Sequence, residues 1–163
     1  VLPVDLPDGE LFALIQHELT HIFQYEILFQ GQLSRGLGVP QWVMEGMASY
    51  MAKAEGTSDR MFLRDAVVND RVPSIVQRGV TGFFAYRFGH AAFDFMEHRW
   101  GKEGFRDFVY EFRNTLGGRV EKAVERAFRI SAEDFDAEFR RWLRQQYLPQ
   151  LVATGEPSDS RQR

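Results

Sequence analysis

Apolar residues recur at three- and four-residue intervals along most of the chain, interrupted by short glycine- and proline-bearing breaks, so the pattern predicts a run of helices with short connections. The first helix begins near Asp8, whose carboxylate can cap free N–H groups, and covers about Glu10 to Phe29 before Gly31. Gly31, Gly36, Gly38 and Pro40 mark a loop. Pro40 suits the first turn of a second helix, Pro40 to Ala54, which Gly56 stops. Thr57 or Ser58 caps a third helix to about Val68, and the stretch Asn69 to Val80, with Pro73 in it, reads as irregular chain available as a cleft wall or lid. Thr81 caps a long aromatic helix that Gly101 ends after Trp100, and a further helix covers Lys102 to Thr115 before Gly117-Gly118. A short helix follows over Arg119 to Phe128. Ser131 and Asp134 then approximate a capping box for the last one, Ala132 to Leu148, closed by Pro149.

Alternating strand patterns are missing. Leu2 to Leu6 is the one candidate, and Pro3 and Pro7 interrupt it, so the expected fold class is mainly α, helical and bundle-like, with any β-sheet mostly upstream of Val1. Residues 1–154 read as one domain. Residues 155–163 (Gly155 to Arg163) read as a solvated tail. Phe105, Phe108, Phe112, Phe135, Phe139 and Trp142 fall at helical spacing and are expected in the core.

Composition narrows the class. With 163 residues, 44% apolar and 15 Phe, the chain has material for one sizeable core and too much of it for disorder. Twenty basic residues against 23 acidic ones leave a formal charge of −3, and the basic ones do not form a stripe, which argues against nucleic acid as partner. Cysteine is absent, so neither a disulfide framework nor a thiolate metal site exists. The richest apolar stretch, Ile22 to Phe29, is broken by Gln24 and Glu26 and is too short to span a bilayer. A start without methionine or signal-peptide features reads as a piece of a longer protein.

The chemistry concentrates at His17-Glu18-Leu19-Thr20-His21, an H-E-x-x-H sequence inside the first helix. Two histidines four apart stand on one helical face, about 6 Å apart along the axis, where both imidazoles can reach one ion. Zinc takes nitrogen ligands near 2.0–2.1 Å in a tetrahedral array, and Glu18 then sits beside the water in the open position. The metal draws that water's pKa toward about 7, so a neighbouring carboxylate can take its proton. The extended H-E-x-x-H-x-x-G-x-x-H pattern fails, because Gln24 and Ile27 occupy its glycine and third-histidine positions. An acidic third ligand from a second helix remains. Glu45 offers one, since it is a carboxylate on a helix otherwise apolar on the side carrying Trp42, Met44 and Met51.

These residues resemble the gluzincin metallopeptidases of the MA clan, and within them the bacterial group with H-E-L-x-H followed by P-x-W-x-x-E-G-x-A. Here the second motif reads Pro40-Gln41-Trp42-Val43-Met44-Glu45-Gly46-Met47-Ala48. The likeness is close over the first third of the chain and looser through Tyr86-Arg87-Phe88-Gly89-His90 and the break at Trp100-Gly101-Lys102-Glu103. It implies a zincin-like catalytic region in which His17, His21 and Glu45 hold one Zn²⁺ ion and Glu18 is general base. It also implies a peptide or protein substrate, frequent company of β-propeller modules in longer parent proteins, and an exported setting. No propeller repeat is visible in this chain. Polarisation of the scissile carbonyl falls to Tyr86 or His90, four apart and so on one helical face, with Tyr86 favoured by its place before Gly89. A buried tyrosine with a satisfied hydroxyl and a core histidine are the plain alternatives. For His98 a dipole contact at the helix end outweighs catalysis. Ser49 and Asp65 are the candidate oxygen partners for the ligand histidines. Against a zinc peptidase stand another zinc-dependent hydrolase and a non-catalytic module with a structural metal site; an intact Glu18 disfavours the latter, since a structural site needs no base.

Overall fold

The computed structural model describes residues 6–29, 38–115 and 119–154, with side chains to residue 149. Among these the chain is mainly α, with six helices and no strand: α1 Asp8–Phe29, α2 Gln41–Met51, α3 Thr57–Val68, α4 Phe83–Asn114, α5 Val120–Phe128 and α6 Ala132–Thr154. The strand candidate at Leu2, the Gly31–Gly36 loop, Gly117-Gly118 and the expected tail lie outside the described residues, the strand by all but Leu6.

Helix ends follow local chemistry, and at five places they depart from the expected boundaries. Asp8 is the first helical residue of α1, and it is the Pro7 carbonyl that accepts from the N–H groups of Glu10 and Leu11, both at 2.9 Å. Helix α2 stops at Met51, before Ala54, because Lys53 turns left-handed (φ 50°) and the Ala54 N–H reaches back to the Ser49 carbonyl at 3.0 Å. Gly56 therefore does not stop α2; it caps α3, its N–H donating to Asp59 Oδ2 at 2.7 Å. Gly82 (φ 60°), in place of Thr81, precedes α4, and the Gln41 side chain accepts its N–H at 2.8 Å, tying the starts of α2 and α4 together. Pro149 lies inside α6 instead of closing it: its fixed φ is compatible with a helix, and it forfeits the backbone bond that its missing N–H would have made one turn back.

Two expected features stand as read. Gly101 (φ 69°, ψ −174°) kinks α4 between residues 100 and 102, a backbone angle that favours glycine although nothing crowds its absent side chain. Ser131 caps α6, accepting from the Asp134 N–H at 3.0 Å and donating to its carboxylate at 2.8 Å.

The core is aromatic. Phe93, Phe108, Phe112, Phe135 and Phe139 are fully buried, with Phe105 and Trp142 packed against them at the margin. The Asn69–Val80 stretch is neither lid nor cleft wall. Ile75 and Val76 are buried in this core, and the fully buried Asp136 accepts the N–H groups of Val76 at 3.0 Å and Gln77 at 3.3 Å. Helix α2 packs most extensively on α4, at a crossing of two glycines. A Cβ on Gly89 would lie 2.5 Å from the Trp42 carbonyl oxygen and 2.7 Å from Gly46 Cα, so only hydrogen fits on either side. Helix α1 lies against α2 and more lightly against α4. Its outer face leaves Phe12, Leu19, Ile22 and Phe23 exposed. No described helix is long and apolar enough to cross a membrane.

Candidate metal centre

On α1, His17, His21, Gln24 and Leu28 follow one another at four, three and four residues, the spacing of a single helical stripe. This stripe faces α2: Gln24 and Leu28 are buried, and the two histidines are half-buried at its exposed end. Glu45 approaches from the second turn of α2 and completes the group. His17 Nε2 is 3.3 Å from Glu45 Oε2, His21 Nε2 is 3.4 Å from the same oxygen, and the two Nε2 atoms are 3.2 Å apart. Four bonds of 2.0–2.1 Å in a tetrahedral array place ligand atoms roughly 3.3–3.4 Å from one another. The triangle formed by these atoms is thus the size of one face of such a site, and two imidazoles with one carboxylate are donors a divalent zinc ion accepts.

Beside the triangle opens a cleft of about 790 Å³, with walls from α1, α3, the α2–α3 link and the first half of α4. His17, Glu18 and Tyr86 line it together. Glu18 is exposed. Tyr86 stacks on the His17 ring, centroids 5.9 Å apart and planes 15° from parallel. Burial, then a hydrogen bond to Glu45, then the charges of Glu45 and Glu18 push its phenol above the usual tyrosine value, so at neutral pH it stays a donor.

His90 lines the same cleft from deeper in α4 and is buried, with its nitrogens engaged elsewhere. Nδ1 is 2.9 Å from the Ser49 hydroxyl and Nε2 3.4 Å from Asp94 Oδ2. Burial lowers its pKa to about 4 in spite of the pull of Asp59, so it is a neutral imidazole. His98 lies against Trp142, with ring centroids 5.9 Å apart and planes tilted by 38°, away from the cleft.

The expected oxygen partners of the ligand histidines are placed elsewhere. Ser49 is engaged with His90, and the Asp65 carboxylate accepts from Asn69 at 3.1 Å on the surface. The partner that sequence reasoning missed is Gln24, whose Oε1 lies 2.8 Å from His21 Nδ1 while its Nε2 donates to the Met44 carbonyl at 2.8 Å. One signal for it is present in the chain: an amide three residues after His21, on the same helical face, in a stretch that is apolar but for it and Glu26.

The remaining cleft charge is acidic. Glu10, Glu18, Glu55 and Asp59 face one cation, Arg87, which is itself 2.9 Å from Asp59 and stacked 3.2 Å over the Phe83 ring. Comparison with known protein families, with curated proteins and with solved structures found no match to this chain.

Proposed function

We propose that this chain is the catalytic region of a zinc-dependent peptidase of zincin-like, gluzincin type, cleaving peptide bonds with Glu18 as general base. The observation that carries the reading is the convergence of His17 Nε2, His21 Nε2 and Glu45 Oε2 beside a cleft that His17, Glu18 and Tyr86 line. Three protein ligands leave one position of a tetrahedral site open, the arrangement of catalytic zinc; structural zinc is enclosed by four. Zinc held there supplies Lewis acidity, lowering the pKa of a water and polarising a carbonyl.

The chain's own residues account for the rest of the reaction. The Glu18 carboxylate, next in sequence to a ligand and open to solvent, accepts the proton of the attacking water and afterwards returns it to the leaving amine. Tyr86, held protonated beside Glu45, donates its O–H toward the oxygen that becomes negative as the carbonyl carbon turns tetrahedral. The cleft along α3 and α4 takes the substrate chain, its apolar walls coming from Leu14, Leu63 and Phe83.

Metal analysis combined with digestion of a mixed peptide library tests the proposal. Wild-type protein should bind zinc near one equivalent and cleave peptides, and His21→Ala should lose the metal. Glu18→Gln should keep it while turnover falls by about 10²–10⁴-fold. Tyr86→Phe should lower kcat by on the order of 10²-fold with the metal retained. Unchanged turnover in Glu18→Gln would exclude it as the base.

A further inference from the structure

We infer that Gln24 is a positioning residue that fixes the His21 tautomer for metal binding and, through the same amide, sets the docking of α1 on α2 beside Glu45. The inference rests on the metal-centre reading above and follows from donor and acceptor logic at one buried amide. The Met44 carbonyl can only accept, so the Gln24 group facing it at 2.8 Å must be the NH₂. The amide oxygen is thereby turned to His21 Nδ1, 2.8 Å away, and since that oxygen can only accept, Nδ1 carries the hydrogen. His21 Nε2 is left with its lone pair, and Nε2 is the atom that faces His17 Nε2 and Glu45 Oε2. A backbone carbonyl one residue before Glu45 therefore determines, through Gln24, which nitrogen of His21 is free to bind a cation.

Burial strengthens the point. Gln24 is 2% exposed, and an amide so far from water is tolerated because both its ends are bonded. Were its role only to fill space, an apolar side chain of similar shape would serve as well. Hydrogen-bonded partners of this kind orient a ligand imidazole and raise its basicity, and losing one typically weakens metal binding about 10–100-fold.

Two measurements on Gln24→Leu and Gln24→Glu test this. The first is zinc affinity by competition with a chromogenic chelator; the second is the His21 tautomer in metal-free protein, read from long-range ¹H–¹⁵N correlations of the ring. Wild type should show His21 protonated at Nδ1. Gln24→Leu should lose that preference and bind zinc on the order of 10–100-fold more weakly, with its helical circular dichroism unchanged. Gln24→Glu keeps an acceptor for Nδ1 and should preserve the tautomer, but it gives up the donor to the Met44 carbonyl and should lower stability through the α1–α2 contact. Should neither variant fold, the wild-type tautomer is itself the test. Wild type without the Nδ1 proton, leucine with wild-type affinity and tautomer, or a folded glutamate variant with the Nδ1 proton lost, would overturn the inference. A wild-type chain that binds no zinc would instead defeat the metal reading, and the tautomer comparison would still judge Gln24.

Discussion

At His90 and Asp94 burial acts on two neighbouring groups with opposite consequences for pH. Burial, reinforced by Glu55 and Glu97, raises the Asp94 carboxyl to about 7, while burial lowers the His90 imidazole to about 4. The folded state thus holds a proton on Asp94 that the unfolded chain releases near pH 3.8, so this contribution to stability is full below that pH and is lost as pH rises toward 7. His90 works the other way: the unfolded chain takes up its proton near pH 6.5 and the folded one only near 4, so stability falls as pH drops through that window, by at most roughly 3 kcal/mol. In the native chain the two trends offset. Asp94→Asn removes one of them, so its stability should climb more steeply than wild type between pH 4 and 6.5. Above pH 7 it should exceed wild type by about 1–2 kcal/mol, discounted because the Asp94 side chain is partly exposed. Urea unfolding at pH 4.5, 6.5 and 8 measures this, and parallel curves for the two proteins would reject it.

Among the elements, the α2–α4 crossing is where a single atom matters most. Glu45 sits immediately before Gly46, and Tyr86 three residues before Gly89, so the backbone approach at those glycines also sets the reach of a candidate metal ligand and a candidate oxyanion donor. Gly89→Ala inserts a methyl against the Trp42 carbonyl and Gly46, where backbone and not a flexible side chain must yield. A loss on the order of 3 kcal/mol is expected, or roughly 10 °C in Tm for a chain of this size. Gly101→Ala, strained by its positive φ but uncrowded, should cost less, about 1–2 kcal/mol. Thermal unfolding of the two variants side by side decides the order, and equal losses would mean that close packing at the crossing is not the larger effect.

Two expectations belong to the whole molecule. A cation held by His17, His21 and Glu45 ties α1 to α2 and has no counterpart in the unfolded chain. At a hundredfold excess over Kd, zinc should then raise stability by about 2.7 kcal/mol and Tm by roughly 5–10 °C, reversibly with chelator and not in His21→Ala. Secondly, the cleft carries four carboxylates against one guanidinium already paired with Asp59. Lysine-containing peptides should be cleaved about tenfold more efficiently than their glutamate counterparts at low ionic strength, the difference shrinking toward 0.5 M salt as the field is screened. Equal kcat/KM for the pair at low salt would exclude electrostatic selection by this cleft.

Much of this protein was legible in order along the chain. Helical periodicity and capping chemistry are local, so the helices, the Gly101 kink, the Ser131 cap and the placement of His17 and His21 on one face follow from nearest neighbours in sequence. Boundaries went astray where a competing local contact won, as when Lys53 turned left-handed before Gly56 or Gly82 replaced Thr81 as the cap. Contacts across the fold could not be read that way. That Glu45 comes within 3.3–3.4 Å of both imidazoles depends on how α1 lies on α2, and that Ser49 serves His90 while Gln24 serves His21 depends on which faces are covered. The Asn69–Val80 stretch likewise looked free until a buried aspartate sixty residues away held it to the core. Local propensity acts over a few residues, whereas these partnerships join residues brought together only by burial of the apolar surface, and so tertiary packing alone decided them.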